Sequence, residues 1–368
     1  MLRILSSMLL LALGCAASGQ SNSPSVEARG VWLHLSDFSA DAEQGKVQVR
    51  KAVKRLADAN FNLILPWVVS EYVAALTDTN YLQIAPNAKW DALGELVREA
   101  HERGLKVHLW YSFTYYKSPR SPEFDPKHGG SPEWAARSLT AFNGKTNLMT
   151  DVCSTRGESR LWELKLIESL LNRYPDISGV HIEEPGYGYP ESCVCERCRL
   201  LFGKYGKDLE KVINTLLAED FRCQGTSLFI EELRKRMDKR NPKPILSVNG
   251  GPFWKNDRSL GRDWKHWAEV GLLDYYASQN YSSDFDTFKS YTQTILSDLP
   301  NTCPVFVGIG IKWSGGETPL PVALQQVDYA RSRGAKGILF FSAKSLTDDY
   351  LNALKAGPFK TPAAYPAR

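Results

Sequence analysis

The chain lacks an excess of either charge. Its 45 Lys and Arg stand against 41 Asp and Glu, a formal net charge of +4 over 368 residues. A nucleic-acid binder shows a stronger basic excess or a basic run, and the sequence reads as having neither, which excludes a nucleic-acid partner. Long apolar stretches are missing beyond the amino end, so no later segment reaches the roughly twenty residues of a membrane span. No P-loop, dinucleotide-type glycine fingerprint or Ser/His/Asp order falls at a strand end, so nothing points to an organic cofactor. Gly308-Ile-Gly310 is a lone glycine pair that reads as packing. No linker divides the chain. Hydrophobic residues at 43% and charged residues at 23% exclude disorder, collagen-like repeats and a polytopic membrane protein. What is plentiful is aromatic: ten Trp and sixteen Tyr exceed the needs of a core this size, and flat ring faces hold sugars.

Residues 1–19 read as a targeting signal. Arg3 supplies the positive start, and residues 4–13 form an apolar stretch of about ten. Leu11-Ala12-Leu13-Gly14-Cys15 is similar to a lipobox, which makes Cys15 a candidate lipid anchor and the only expected membrane contact; simple cleavage after Ala17 or Gly19 is the alternative. Either route exports the protein. Residues 20–26 then form a polar tether, 27–358 one folded domain and 359–368 a tail.

Short β-rich apolar runs alternate with amphipathic stretches along the domain. The runs are 28–35, 61–69, 105–113, 177–182, 244–249, 272–281, 304–311 and 337–342. Near-continuous apolar character is the mark of parallel strands buried on both faces. Helical periodicity marks 47–60, 90–103, 158–173, 209–217, 227–239, 263–270, 285–296, 321–333 and 347–354. Gly104, Gly271 and Gly334 stop helices before the next strand. Eight such units predict a (β/α)8 TIM barrel, with long loops after strands three and four.

In such barrels chemistry sits at the carboxyl ends of the strands. Carboxylates, amides and rings dominate there. Trp67, Tyr111, Tyr115, Trp254 and Trp313 offer ring faces, and Asn249, Gln279 and Tyr281 offer polar contacts to a carbohydrate substrate. Strand four ends in Gly179-Val-His-Ile-Glu-Glu-Pro-Gly-Tyr-Gly188. Side chains alternate along a strand, so only one of Glu183 and Glu184 can face the barrel mouth. A carboxyl held among aromatic groups has a raised pKa, which suits a general acid. His34 and His108 read as core residues, and His181, two before Glu183, as a residue sharing its face. Asp274, at the start of strand six, reads as structural.

Cys193-Val-Cys195-Glu-Arg-Cys198 follows. Three thiols in six residues is a metal-ligand density that suits tetrahedral zinc, and Cys153 is the best candidate for a fourth ligand. A set of disulfides that includes Cys223 and Cys303 is the alternative. Either would pin the loop after Glu184.

Two resemblances follow. Glu184-Pro-Gly-Tyr-Gly with the ensuing Cys-x-Cys-x-x-Cys-Arg-x-x-Phe202 is similar to the family-42 β-galactosidases. That likeness implies Glu184 as acid/base and Cys153, Cys193, Cys195 and Cys198 as zinc ligands; Glu183 stands where that family has Asn. The chain as a whole resembles the glycosyl-hydrolase-like family 10 group of secreted bacterial barrels, through Glu27-Ala-Arg-Gly-Val-Trp-Leu33, Arg262-Asp-Trp264, Val270-Gly-Leu-Leu-Asp-Tyr275 and Gln279-Asn-Tyr281. It implies a glycosidase, with cell-wall glycan among the substrates.

A glycosidase generally needs two carboxylates across the scissile bond. Glu184 is the expected general acid; strand seven ends without a carboxylate, and Glu317, five residues past Lys312, is its candidate partner. Substrate-assisted cleavage, with Glu183 orienting an N-acetyl group and Tyr281 supporting it, is a further route. A carbohydrate-binding barrel without catalysis is the alternative to an enzyme.

Overall fold

The computed structural model of the chain describes residues 25–68, 90–112, 132–142 and 146–366. The targeting signal, Cys15 and Tyr115 lie outside these residues. Eight parallel strands close into a barrel: β1 Ala28–His34, β2 Leu63–Trp67, β3 Lys106–Tyr111, β4 Gly179–Ile182, β5 Ile245–Gly250, β6 Tyr275–Gln279, β7 Val305–Gly310 and β8 Gly337–Phe341. They pair in chain order, and β8 closes on β1 with Gly337 opposite Ala28 and Phe341 opposite Trp32. This is the (β/α)8 arrangement expected from the sequence.

Two cores explain why the strands read as almost unbroken apolar runs. Inside the barrel lie Trp32, Leu63, Leu65, Trp110, Tyr275, Phe306 and Leu339. Alternate residues, among them Val31, Ile64, Leu109, Val180, Val248, Val307 and Phe340, face outward beneath the helices. Burial on both faces removes the polar partner that alternation would otherwise show.

The outer layer comprises α1 Ala42–Asp58, α2 Ala92–Glu102, α3 Gly157–Arg173, α4 Glu196–Phe202, α5 Leu216–Met237, α6 Trp254–Ser259, α7 Trp264–Glu269, α8 Phe285–Asp298, α9 Leu320–Ser332 and α10 Asp348–Ala356. α1 buries Val49, Val53 and Leu56, and the Asp41 side chain caps it by accepting from Gln44 N at 2.9 Å. Gly104, Gly271 and Gly334 all adopt positive φ at helix ends, a conformation that costs glycine no steric strain. None of the helices is long and apolar enough to cross a membrane, among the described residues.

Four departures from the sequence expectation matter. The separate helices 209–217 and 227–239 are instead a 3-10 turn, Glu210–Val212, and the single helix α5. Gly225 sits inside α5 because a Cβ there would lie 2.8 Å from Ser154 Oγ; the glycine lets the helix pass close to the Cys153 segment. The region after β3 carries an antiparallel hairpin, Ala135–Phe142 with Thr146–Val152, rather than only loop. The tail beyond 358 belongs to the domain: Ala363–Ala364 pairs with Ser25–Val26, Phe359 is fully buried, and the Tyr365 ring meets His108 and Phe306 at the amino end of the barrel. Finally, a basic stretch does exist, from Arg234 to Lys243. Its first three cations fill the last turn of α5, where the helix dipole favours them. Of its six cations, Arg234, Arg236 and Lys243 are ion-paired to Asp274, Glu168 and Asp238. Asp274 is structural as expected, accepting also from Leu246 N at 2.6 Å.

Candidate active site

The site is built around the end of β4. Glu183 N donates to Tyr111 O at 2.8 Å, so Glu183 prolongs the strand and keeps the inward face of His181. The strand then breaks. Glu184 takes φ +36°, uncommon for a residue with a Cβ, and its N–H turns to Asn249 Oδ1 at 2.8 Å. The two neighbouring carboxylates therefore point to different surroundings.

Glu183 occupies the centre of the mouth. Trp110 Nε1 donates to its Oε2, Asn249 Nδ2 donates to the same oxygen at 2.5 Å, and Gln279 Nε2 donates to Oε1 at 3.4 Å. Its pKa is pushed up to about 7, first by burial and then by the neighbouring Glu184 charge; Asn249, Trp110 and Arg262 act in the opposite direction. Glu184 instead pairs with Arg262, Nη1 to Oε2 at 2.9 Å, and its side chain keeps 35% of its exposure. Asn249, itself buried, serves both neighbours at once.

Below Glu183 the barrel interior is polar. His181 Nδ1 meets Ser247 Oγ at 2.9 Å, His108 Nδ1 meets Tyr275 OH at 3.1 Å, and both imidazoles stack on the Tyr275 ring. Burial holds both neutral, lowering His108 to about 3 and His181 well below its usual value. His181 thus supports the floor, and its hydrogen bond goes to Ser247 rather than to Glu183.

Aromatic rings wall the mouth. Trp67 stands edge-on to Trp110 at 4.5 Å, His34 lies 5.1 Å from Trp110, and Tyr281 stacks on Phe341 at 5.5 Å with Trp313 at 6.0 Å beyond it. The Tyr281 hydroxyl is held well above its usual pKa by burial and by the two glutamates, so it remains a donor.

Several sequence candidates take other places. Tyr111 faces the helices: it is fully buried in the outer core and its hydroxyl binds Glu163 of α3. Trp110, one residue earlier, takes the inward-facing position expected of Tyr111. A period of two gives the alternation but not which parity faces inward; the register pairing Trp110 with His181 supplies it. Trp254 opens α6 with its indole on Asp263 Oδ1 at 2.8 Å and shares no partner with Glu183. Glu317 sits on a short hairpin of Lys312–Trp313 with Gly316–Glu317, 64% exposed and 3.9 Å from Lys312 Nζ, outside the group around Glu183. His34, read as core, is partly exposed at the rim. Trp110, His34 and Arg262 are the residues that strand-end reading passes over.

Beside this site, Cys153, Cys193, Cys195 and Cys198 are all buried and their Sγ atoms lie within 4.8 Å of one another. Two of the separations are 3.5 and 3.6 Å. Tetrahedral zinc with bonds of about 2.3 Å sets sulfur atoms about 3.8 Å apart, so the cluster fits a metal. Arg137 N donates to Cys193 Sγ at 3.3 Å, as expected around a thiolate ligand. The six described cysteines, Cys223 and Cys303 included, form no disulfide in the structure. The cluster reaches the mouth through Tyr187. Its hydroxyl accepts from Ser154 N at 3.1 Å, its N–H donates to Leu260 O at 2.8 Å, and it follows Glu184 by three residues.

Comparison with known proteins agrees with this architecture. The sequence profile described as Glycosyl hydrolase-like 10 matches residues 27–328. The chain is similar to Glycosyl hydrolase YngK of Bacillus subtilis, 24% identical over 259 residues, covering 63% of this chain and 45% of that protein. It is also similar to Glycosyl hydrolase DigH of Escherichia coli, 25% identical over 282 residues, covering 67% and 57%. The chain thus spans about half the length of the curated relatives it matches. In fold it is similar to the glycoside hydrolase domain of PgaB (BpsB) from Bordetella bronchiseptica, with TM-score 0.67 and 12% identity over 90% of this chain and 98% of that one.

Proposed function

The chain belongs to the glycosyl hydrolase-like 10 family, and from that premise we propose that it is a glycoside hydrolase acting on a poly- or oligosaccharide, with Glu183 as the proton donor. The setting of Glu183 carries this reading. A carboxyl with pKa about 7 in an aromatic-walled mouth is half protonated near neutrality. That suits protonation of a leaving glycosidic oxygen. Oε2 already receives two N–H donors, so the proton belongs on Oε1, whose protein partner is the longer contact from Gln279. Oε1 is therefore the oxygen that meets substrate. This reading replaces Glu184, the acid expected from the sequence, because Glu184 turns away to pair with Arg262. The faces of Trp110, Trp67 and Tyr281 carry negative electrostatic potential and border the positive charge that develops on the sugar.

We assign the four-cysteine cluster to a structural zinc held by Cys153, Cys193, Cys195 and Cys198; bound there, the metal cross-links the β4 loop to the segment before α3. Residues 1–19 support export, by lipidation at Cys15 or by cleavage after Ala17 or Gly19, and the mass of the mature amino terminus distinguishes the two.

The test is release of reducing ends from cell-wall glycans and aryl glycosides. Glu183→Gln is expected to lower kcat about 100- to 10,000-fold; unchanged turnover removes Glu183 from the role. The exposed position of Glu317 favours a second reading, a carbohydrate-binding barrel without catalysis. Glycan binding by the wild type with no product released supports that one.

A further inference from the structure

The segment Arg262-Asp263-Trp264 stands out in the sequence, yet proton donation by Glu183 assigns it no part. All three side chains are engaged. Trp264 Nε1 donates to Asp257 Oδ2 at 2.9 Å, Asp263 Oδ1 accepts from Trp254 Nε1, and Arg262 reaches Glu184. Arg262 is itself largely buried, with 11% of its side chain exposed. Its Nη1 lies 2.9 Å from Glu184 Oε2 and 3.7 Å from Asp257 Oδ1, and its Nη2 donates to Tyr187 O at 3.4 Å. Gly186 makes room for its stem, since a Cβ there would lie 2.5 Å from Arg262 Cγ and 2.6 Å from Leu260 O.

We propose that Arg262 is a positioning residue for the proton donor: it clamps the Glu184 carboxylate between the β4 loop and Asp257, and so fixes how much negative charge Glu183 faces. The inference rests on the reading of Glu183 as proton donor. A guanidinium between two carboxylates pins the geometry by charge and hydrogen bonding together. The charged and titratable groups facing Glu183 are Glu184 on its own loop, Arg262 beyond it, Tyr281 after β6 and His181 beneath; His34 lies against its donor Trp110, and Asp257 stands on the far side of Arg262. Burial keeps Tyr281 and His181 neutral, and the charges that act on Glu183 are Glu184 and Arg262, with opposite signs.

The experiment is a titration of the Glu183 carboxyl by carbon-13 NMR in the full mature protein labelled at glutamate, the signal identified by its loss in Glu183→Gln. Glu184→Gln is expected to move the midpoint down and Arg262→Met to move it up, each by about one pH unit. The double variant is expected to return toward wild type. Shifts of one sign in both single variants, or none, overturn the proposal. If Arg262→Met does not fold, Glu184→Gln decides alone: a midpoint unmoved or raised overturns it. The titration needs no substrate, so it reads the clamp even if turnover is absent. Conversely, loss of turnover in Glu183→Gln without these shifts leaves the acid role standing and removes Arg262 from it.

Discussion

Glu183 and Glu184 are chemically identical neighbours that the backbone sends to different fates. One more residue of extended strand places Glu183 under Trp110, Asn249 and Gln279; one left-handed residue turns Glu184 to Arg262. The sequence makes the pair visible and shows that only one can face inward. The sequence reading favours Glu184, whereas strand parity, set by register with β3 and β5, turns Glu183 inward. The same ambiguity exchanged Tyr111 for Trp110. A prediction belongs to that exchange. Trp110→Phe removes an N–H donor that favours the charged form of Glu183. The alkaline limb of turnover is therefore expected at higher pH, with kcat reduced. Tyr111→Phe, which removes a hydroxyl bound to Glu163 and keeps the backbone bond to Glu183 N, is expected to leave that limb in place. A pH–rate profile of both variants checks this.

At the level of elements, β3 and α3 share an unusual contact: Glu163 is buried beneath α3 with Tyr111, and burial raises its pKa well above the usual glutamate value. Because the folded value exceeds the unfolded one, any stability this group contributes is present below the unfolded pKa and lost as pH rises through the folded one. Glu163→Gln carries no such dependence. Its Tm is expected to gain on wild type as pH is raised from about 5 to 8; a constant difference contradicts this. The cysteine loop gives a second test at this scale. Purified protein is expected to hold about one zinc per chain, and removal by a chelator is expected to lower Tm and to speed hydrogen exchange in residues 187–202. Metal-free protein of equal stability contradicts the assignment. The three closely spaced cysteines are legible in the sequence, and the fold brings Cys153 to them. α5 was not legible, because Gly225 looks like a helix break and serves a close approach instead.

Across the whole molecule, the barrel was readable because eight buried runs and their helix-stop glycines repeat along the chain. Its lower closure was not. The last residues look like a tail, yet Phe359 is buried against Phe61 and Phe340 and lies beneath the Arg29 guanidinium. Phe359→Ala is expected to cost about 3–5 kcal/mol of stability while leaving the pH–rate profile unchanged, because the mouth lies at the other end. Denaturant unfolding measures the first and turnover the second. The mouth itself draws on several strands: Trp110 from β3, Glu183 from the end of β4, Asn249 from β5, Gln279 from β6. No local motif can display such a group, and only closure of the cylinder brings it together.

The most direct measurement of the central claim is the pH dependence of kcat/KM for the wild type on a glycan it cleaves, set beside that of Glu183→Gln. The acid must be protonated in the free enzyme, so kcat/KM is expected to fall as pH rises, with a midpoint near about 7, and Glu183→Gln is expected to retain only a small residue of activity without that limb. A wild-type profile flat through this range, or the same limb surviving in Glu183→Gln, contradicts the assignment of Glu183 as the proton donor.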